Sequence, residues 1–270
     1  MRVTSPANAR VRDALRLIAS SHERRRSGRC VLEGAHLVAV YRARVGLPES
    51  IVVTDDALAR DDVRALIDDA ADARTINVPT ALLAEHAAIP ADVGILAVVP
   101  TPRLAGADTA AHFTLLLEDL QDPGNVGSIV RTAAAAGVDQ VLMSKACAFA
   151  WSPKVLRAGQ GAHFLTSIVE DVDLTGWMAS FRAHGGRVAA LVVAGGMPLY
   201  DADLRGDLAI AVGNEGAGLS AALVDVADLR LTIPMAAGNE SLNAAAATAV
   251  ALFERVRQIG AGARGSAPPG

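Results

Sequence analysis

Three loops in the second half of the chain combine glycine, asparagine and acidic residues, and each follows an apolar segment and precedes a helix-forming one. They lie within residues 115–137, 208–220 and 229–254. At strand-to-helix junctions of an open α/β sheet, backbone N–H groups and the helix dipole converge on bound ligands. Three such junctions in one domain predict a single composite pocket.

The common nucleotide and metal motifs are absent from the sequence. The loop DPGNVGS lacks the G-x-G-x-x-G spacing with which a backbone approaches a pyrophosphate, and the chain has no G-x-x-x-x-G-K-[ST]. It also has no H-E-x-x-H and no carboxylate cluster at metal-ligand spacing. Cys30 and Cys147 form no C-x-x-C pair, which favours two buried thiols over a zinc or redox site. We therefore expect no metal.

The elements that position these loops are typical of a two-domain α/β protein. The chain has 270 residues, and prolines and glycines interrupt regular patterning near residues 100–111. Before this linker, alternating strands and helices predict a small α/β/α domain over residues 1–100. After it, near-continuous apolar strands predict a largely parallel sheet over residues 111–260, closed by a helix at about 240–259. The Gly/Pro/Ala-rich residues 261–270 predict a flexible tail.

Composition places the chain among globular proteins rather than membrane proteins. Hydrophobic residues make up 51% and aromatic residues 3%, and no apolar run reaches the roughly 18–20 residues that a spanning helix needs. The amino terminus carries charges every few residues and no apolar stretch typical of a secretory signal. These features predict a cytoplasmic protein with no membrane association.

The three loops together resemble the SpoU/TrmH RNA ribose 2′-O-methyltransferases of the SPOUT superfamily. The matching strings are DPGNVGSIVRTA, VGNEGAGLS and IPMAAGNESLNAAAATA, with SPKVLRAGQGAHF between the first two. The first domain is similar to the ribosomal-protein-like RNA-binding module of many members. The resemblance implies a SPOUT-type knotted, mostly parallel sheet that binds S-adenosylmethionine (AdoMet) in a bent conformation at a homodimer interface.

The resemblance also assigns site residues to this chain. The positions implied to be catalytic are Asn125, Arg131, Glu215, Ser241 and Asn243. Those implied to bind the cofactor are Gly213, Ile233 and Leu242, with Met235 and Ala194 as neighbours. In the third loop the sequence departs from the family, with Asn239 where many relatives have an apolar residue and Ala244 where Val is frequent. These two departures bear on cofactor affinity rather than on the chemistry.

The residue types suit methyl transfer to a ribose hydroxyl. AdoMet carries its own activated methyl group, so the protein mainly aligns donor and acceptor and handles one proton. The family role proposed for the equivalent of Arg131 is to assist deprotonation, but a guanidinium with a pKa above about 12 cannot accept a proton. We therefore interpret Arg131 as a fork that clamps an RNA phosphate, with the phosphate or a water accepting the proton. The alternative is a surface arginine in an Ala-rich helix.

The other polar residues also have structural interpretations. Asn125 could be a plain helix N-cap, and Glu215 a turn residue. Ser241 and Asn243 could cap the last helix as well as reach substrate.

The first 30 residues are strongly basic although the whole chain has a formal net charge of −4. Arginines there could gather RNA phosphates, or could form a solvated helix face. With few aromatic residues for base stacking, we expect phosphate and shape contacts to dominate recognition of a structured RNA. The predicted RNA-binding residues are Arg10, Arg12, Arg16, Arg24, Arg25 and Arg26.

Three functional hypotheses follow. The first is an AdoMet-dependent RNA 2′-O-ribose methyltransferase, with ribosomal RNA favoured over transfer RNA by family analogy. The second is a non-catalytic RNA-binding or assembly factor with a degenerate cofactor site. The third and weakest is an unrelated nucleotide-binding α/β enzyme.

Overall fold

The computed structural model describes residues 2–68, 74–87, 93–102, 106–236 and 241–265. The chain forms two compact units. Unit 1 comprises Met1–Arg103 and Trp151–Leu165, and unit 2 comprises Leu104–Ala150 and Thr166–Gly270.

The elements before the linker all belong to unit 1. In chain order they are α1 (Ala9–Ala19), α2 (Ser21–Ser27), β1 (Arg29–Glu33), α3 (Ala35–Arg44), β2 (Ser50–Thr54), α4 (Asp61–Asp68), β3 (Thr75–Val78), α5 (Thr80–Ala87) and β4 (Ile95–Pro100).

The elements after the linker belong to unit 2, except α7. They are β5 (Phe113–Leu117), α6 (Pro123–Ala135), β6 (Gln140–Met143), α7 (Pro153–Gly159), β7 (Ser167–Val169), α8 (Leu174–Ala183), β8 (Arg187–Leu191), β9 (Met197–Pro198), β10 (Leu208–Val212), α9 (Ala221–Val226), β11 (Leu229–Thr232) and α10 (Ala244–Gly265).

Among the residues of unit 1 that the structure describes, four strands form a mixed sheet in the order β1-β4-β2-β3. Strand β4 runs antiparallel to both β1 and β2, whereas β3 is parallel to β2. Helix α1 buries Val11, Ala14 and Leu17, which lie on one face because residues three or four apart share a side of a helix. These residues belong to the core beneath the sheet.

Helix α2 was not predicted, because its sequence SHERRRS has no apolar face. Its ends nevertheless carry recognisable signals. Ser20 caps the helix by accepting a hydrogen bond from the Glu23 N–H, as in the S-x-x-E capping box. Gly28 ends it in the left-handed conformation at φ 63°.

Segment 151–165 packs within unit 1, although the predicted boundaries place it in the domain 111–260. Arg157 donates a 2.5 Å hydrogen bond to Glu33, whose side chain is only 3% exposed. Phe164 meets Tyr41 edge to face with ring centroids 5.2 Å apart. The helical pattern of α7 is visible in the sequence, but a local pattern does not say which sheet a helix covers.

Unit 2 confirms the predicted α/β fold with a mostly parallel sheet. Within the described residues of unit 2, seven strands lie in the order β7-β6-β5-β10-β8-β11-β9, and all the pairings between them are parallel. Residues Val212 of β10 and Leu117 of β5 are paired in register, so both strands end at the same edge of the sheet. Strand β8 lies between β10 and β11, which brings the end of β11 to this edge as well.

Helix α10 begins and ends later than predicted. It starts at Ala244 rather than near 240, and it continues to Gly265 rather than ending near 259. Part of the predicted tail 261–270 is therefore helical, and residues 266–270 lie outside the described part of the chain. Within the described residues, no helix has both the length and the apolar character required to cross a bilayer.

Candidate active site

Three loops meet at the carboxyl edge of the unit 2 sheet. They follow β5, β10 and β11, and we call them loop 1 (residues 118–122), loop 2 (213–220) and loop 3 (233–243). Residues 237–240 of loop 3, including Asn239, lie outside the described residues. The convergence follows from the topology, because parallel strands in one sheet end at the same edge.

Loop 1 leads into α6 through an aspartate cap. The Asp122 carboxylate accepts a 2.7 Å hydrogen bond from the Asn125 N–H, and Pro123 occupies the first turn, where it needs no backbone donor. Asp122, not Asn125, is therefore the N-cap. The plain capping interpretation of Asn125 does not hold, and its side chain is available for other contacts.

Glu215 in loop 2 binds this same helix start. Its Oε1 accepts a 3.0 Å hydrogen bond from Asn125 Nδ2 and a 3.3 Å hydrogen bond from the Asp122 N–H. Glu215 is therefore more than a turn residue, because it joins loop 2 to α6.

Asn243 in loop 3 completes a chain of amides. Its Nδ2 donates a 3.0 Å hydrogen bond to Asn125 Oδ1, while its own Oδ1 accepts from the N–H groups of Ala245 and Ala246 at the start of α10. Asn243 thus caps α10, as one of its sequence interpretations predicted, and its side chain also contacts Asn125. The polar chain runs from α10 through Asn243 and Asn125 to the Glu215 carboxylate.

The environment of Glu215 keeps its carboxylate ionised. Partial burial raises the pKa, but hydrogen bonds from the Asn125 side chain and from backbone N–H groups lower it more, so the net pKa lies below the ordinary value of 4.5. A carboxylate with a lowered pKa is a weak base. Its geometry suits holding Asn125 in place better than removing a proton from substrate.

A pocket lies beside this chain of hydrogen bonds. The ends of β8 and β10 form one side, and loop 3 with the start of α10 forms the other. Four of the five predicted cofactor residues line it, together with two predicted catalytic residues: Gly213, Ile233, Met235, Leu242, Glu215 and Ser241. Ala194, the fifth, is exposed and does not line the pocket, although its neighbour Val193 does.

Gly213 is required by the tight fold of loop 2. A Cβ atom at this position would lie 2.2 Å from the backbone nitrogen of Leu219 and from the carbonyl carbon of Gly218. Loop 2 therefore turns back directly onto residue 213, where only backbone lines the pocket. Backbone groups that line a pocket can hydrogen-bond the edge of a base.

The residues that line the pocket suit AdoMet in their chemistry. Leu191, Ile233 and Leu242 give the pocket apolar surface of the kind on which an aromatic base packs, and the Glu215 carboxylate that also lines it favours a cation. Among the described residues, no group of three His, Cys, Asp or Glu side chains is arranged to hold a metal ion.

Arg131 does not join the polar chain. At about 100° per residue, its side chain leaves α6 roughly 120° around the axis from Asn125. It is exposed, and no hydrogen bond or ion pair of its side chain occurs within the described residues. Its guanidinium is therefore available to an external anion.

The predicted RNA-binding arginines divide into two groups. Arg24 is only 6% exposed, and its guanidinium donates to the carbonyl oxygens of Leu17 and Ile18 at the end of α1. Arg26 pairs with Glu23 at 2.7 Å. By contrast, Arg12 and Arg16 are exposed on the same face of α1 and border a shallow surface groove together with Arg10. Arg25 is also exposed.

Arg24 must be withdrawn from the predicted RNA-binding residues. Its side chain satisfies carbonyls that the end of a helix leaves without intrahelical partners, so it serves the fold. The charge pattern could not reveal this, because α2 and its position against α1 were not predicted.

Comparisons with known proteins show what this chain is similar to. Residues 112–253 match the model of the SpoU rRNA methylase family. The chain is similar to the 23S rRNA (guanosine(2553)-2′-O)-methyltransferase RlmP of Bacillus subtilis, with 31% identity over 93% of this chain and 97% of the relative.

Two solved structures are similar to this chain over most of its length. A structure described as an RNA 2′-O ribose methyltransferase has a TM-score of 0.82 and 27% identity over 96% of this chain and 99% of its own. The SpoU methyltransferase AviRb from Streptomyces viridochromogenes, in complex with AdoMet, has a TM-score of 0.80 and 27% identity over 93% of this chain and 98% of its own.

Proposed function

This chain belongs to the SpoU rRNA methylase family, and we propose from this premise that it methylates a ribose 2′-hydroxyl of ribosomal RNA with AdoMet as the donor. The observation that carries the proposal is the chain of hydrogen bonds from Asn243 through Asn125 to Glu215, which joins three loops beside the pocket. A degenerate cofactor site would not be expected to keep this network, the pocket and Gly213 together.

The cofactor would lie in the pocket between loops 2 and 3. Ile233, Met235 and Leu242 would hold its adenosine, and Gly213 would present backbone groups to it. When bound, AdoMet supplies a methyl group already activated on a sulfonium.

The remaining work of the protein is alignment and handling of one proton. Glu215 holds Asn125 and the start of α6 in a fixed position, and Ser241 lies at the pocket rim for contact with substrate. Arg131 clamps a phosphate next to the target ribose with its planar fork. Because neither the guanidinium nor the low-pKa carboxylate is a good base, the ribose proton passes to a water or to the RNA phosphate.

We assign the RNA footprint in unit 1 to α1. Arg12 and Arg16, four residues apart on one exposed face, place two positive charges along a single line of phosphates. Arg10 and Arg25 extend this surface, whereas Arg24 supports it from within.

A homodimer is proposed from the surface of α10. Phe253, Val256 and Ile259 are 48%, 38% and 49% exposed, and their spacing places them along one side of the helix. An apolar stripe of this kind on a monomer marks a contact surface. A second copy of the chain is the partner that the family resemblance implies, and we place this dimer in the cytoplasm with its RNA.

The test is methyl transfer from labelled AdoMet to ribosomal RNA by the wild type, Arg131→Ala and Arg131→Lys. Arg131→Ala should lower kcat by about 100-fold or more while AdoMet affinity is retained, and Lys should recover only part because it lacks the fork. Full activity of Arg131→Ala would remove the assigned role.

The target is identified by mapping ribose methylation in cells with and without the gene. The position named for the Bacillus subtilis relative, guanosine 2553 of 23S rRNA, is the first to examine. Loss of methylation from transfer RNA alone would replace ribosomal RNA as the proposed substrate.

A further inference from the structure

The side chain of Asn214 joins loop 1 to loop 2. Its Nδ2 donates a 2.8 Å hydrogen bond to the carbonyl oxygen of Asp119 in loop 1. Its Oδ1 accepts hydrogen bonds from the N–H groups of Gly216 at 2.9 Å and Ala217 at 3.0 Å within loop 2. One amide therefore holds its own turn closed and ties that turn to the neighbouring loop.

Asp119, whose carbonyl oxygen accepts this hydrogen bond, has an unusual backbone conformation. Asp119 has φ 55°, in the left-handed region that costs a non-glycine residue about 1 kcal/mol or more. Ser144 stabilises it on two sides, because Ser144 Oγ donates to Asp119 Oδ1 at 2.6 Å and accepts from the Asp119 N–H at 2.9 Å. Strain that is supported in this way indicates a position under functional constraint.

The two loops are also joined on the far side of the turn. The Ser220 N–H donates a 2.7 Å hydrogen bond to Glu118 Oε2. Between these two links lies Glu215, the residue that binds Asn125 and the Asp122 N–H. The position of the Glu215 carboxylate therefore depends on Asn214, the residue that precedes it.

We propose that Asn214 is a positioning residue for methyl transfer, which holds loop 2 against loop 1 so that Glu215 meets Asn125 at the start of α6. This inference rests on the proposed function only where its test measures methyl transfer. An amide is suited to this role because it donates and accepts at once. Aspartate keeps the acceptor for Gly216 and Ala217 but loses the donor to Asp119, and alanine loses both.

The experiment compares wild type, Asn214→Asp and Asn214→Ala in steady-state methylation of RNA, with AdoMet affinity and Tm measured on the same samples. A misplacement of about 1 Å is enough to cost a large factor in rate, so kcat should fall at least about tenfold in both variants. AdoMet affinity and Tm should change far less. The control is Asn77→Ala in unit 1, which removes a side-chain hydrogen bond of 2.7 Å to Asp55 and should leave kcat unchanged.

Two outcomes overturn the inference. One is wild-type kcat in both variants, and the other is a fall in kcat that only parallels the loss of folded protein and of AdoMet binding. If the wild type methylates no RNA, the proposed function fails, and the positioning role is then decided by amide exchange. Asn214→Ala should speed exchange of the Asp122 N–H roughly tenfold, and unchanged exchange refutes the role.

Discussion

Asn243 donates a 3.0 Å hydrogen bond to the side-chain oxygen of Asn125, although 118 positions separate the two residues. This contact ties the start of the last helix to the start of α6. The amide nitrogen of Asn125 in turn donates a hydrogen bond to the Glu215 carboxylate. The orientation of both amides is therefore set by the carboxylate at one end and by the N–H groups of α10 at the other.

A double-mutant cycle on Asn125→Ala and Asn243→Ala should reveal this coupling. Each single variant should lose stability, because Asn243→Ala also removes the cap of α10 and Asn125→Ala also removes the hydrogen bond to Glu215. The double variant should be more stable than the sum of the single losses predicts, by about 1 kcal/mol, since the hydrogen bond is lost only once. Urea unfolding measures all four proteins. Strictly additive losses would contradict the direct contact.

The basic surface of unit 1 yields a prediction that separates fold from binding. Arg24→Ala leaves the carbonyls of Leu17 and Ile18 without their charged donor, which should lower the free energy of unfolding by about 1.5–3 kcal/mol. Arg12→Ala and Arg16→Ala should leave the free energy of unfolding unchanged and weaken RNA binding. Each should also lower, by about one, the slope of the logarithm of the RNA-binding constant against the logarithm of salt concentration. Titrations at several salt concentrations measure this. An Arg24→Ala protein with wild-type stability and a reduced salt dependence of RNA binding would show that Arg24 contacts RNA and does not support the fold.

The features that sequence predicted well are those specified by local chemistry. The Gly- and Asn-rich loops are conspicuous because they break apolar strands, and strands buried on both faces read as continuous apolar runs. Parallel topology then requires loops 1 and 2 to meet, since Val212 pairs with Leu117. The family resemblance supplied the roles of the individual residues.

The features that the sequence does not predict depend on contacts between residues that are distant in the chain. Arg24 looks like an exposed charge until α2 packs against the end of α1, and α7 joins unit 1 because Arg157 pairs with buried Glu33. Sequence reasoning does not identify Asn214, because its side chain donates to the carbonyl oxygen of Asp119, which is distant in sequence. Residue type and spacing do not encode such long-range partners.

Loop 2 predicts different results for two neighbouring glycines. In Gly213→Ala the new methyl group would lie 2.2 Å from the Leu219 nitrogen, so the loop must open, with loss of AdoMet binding and of stability. In Gly216→Ala the nearest atom is Asn214 Oδ1 at 3.6 Å, an ordinary contact, and stability should stay near that of the wild type. Thermal unfolding of both variants, with calorimetry of AdoMet binding for Gly213→Ala, decides the point. Equal stability of the two variants would contradict the backbone contact.

The lowered pKa of Glu215 predicts how stability depends on pH. A carboxylate whose pKa is lower in the folded state stabilises the fold above the unfolded value, here about 4.5, and this contribution is lost as pH falls through the folded pKa. The stability difference between wild type and Glu215→Gln should therefore be constant near neutral pH and should shrink in acid. Urea unfolding across this range measures it. A difference that grows in acid would have the wrong sign.

The apolar stripe on α10 predicts the effect of charge at the proposed dimer surface. Phe253→Glu together with Ile259→Glu should give a monomer, because two carboxylates would have to be buried against a second copy without partners. The control is Val45→Glu in unit 1, which also replaces an exposed apolar residue, 51% exposed, and should leave the assembly unchanged. Light scattering coupled to gel filtration measures the mass of each protein. Wild-type mass in the double variant would move the interface away from this face of α10.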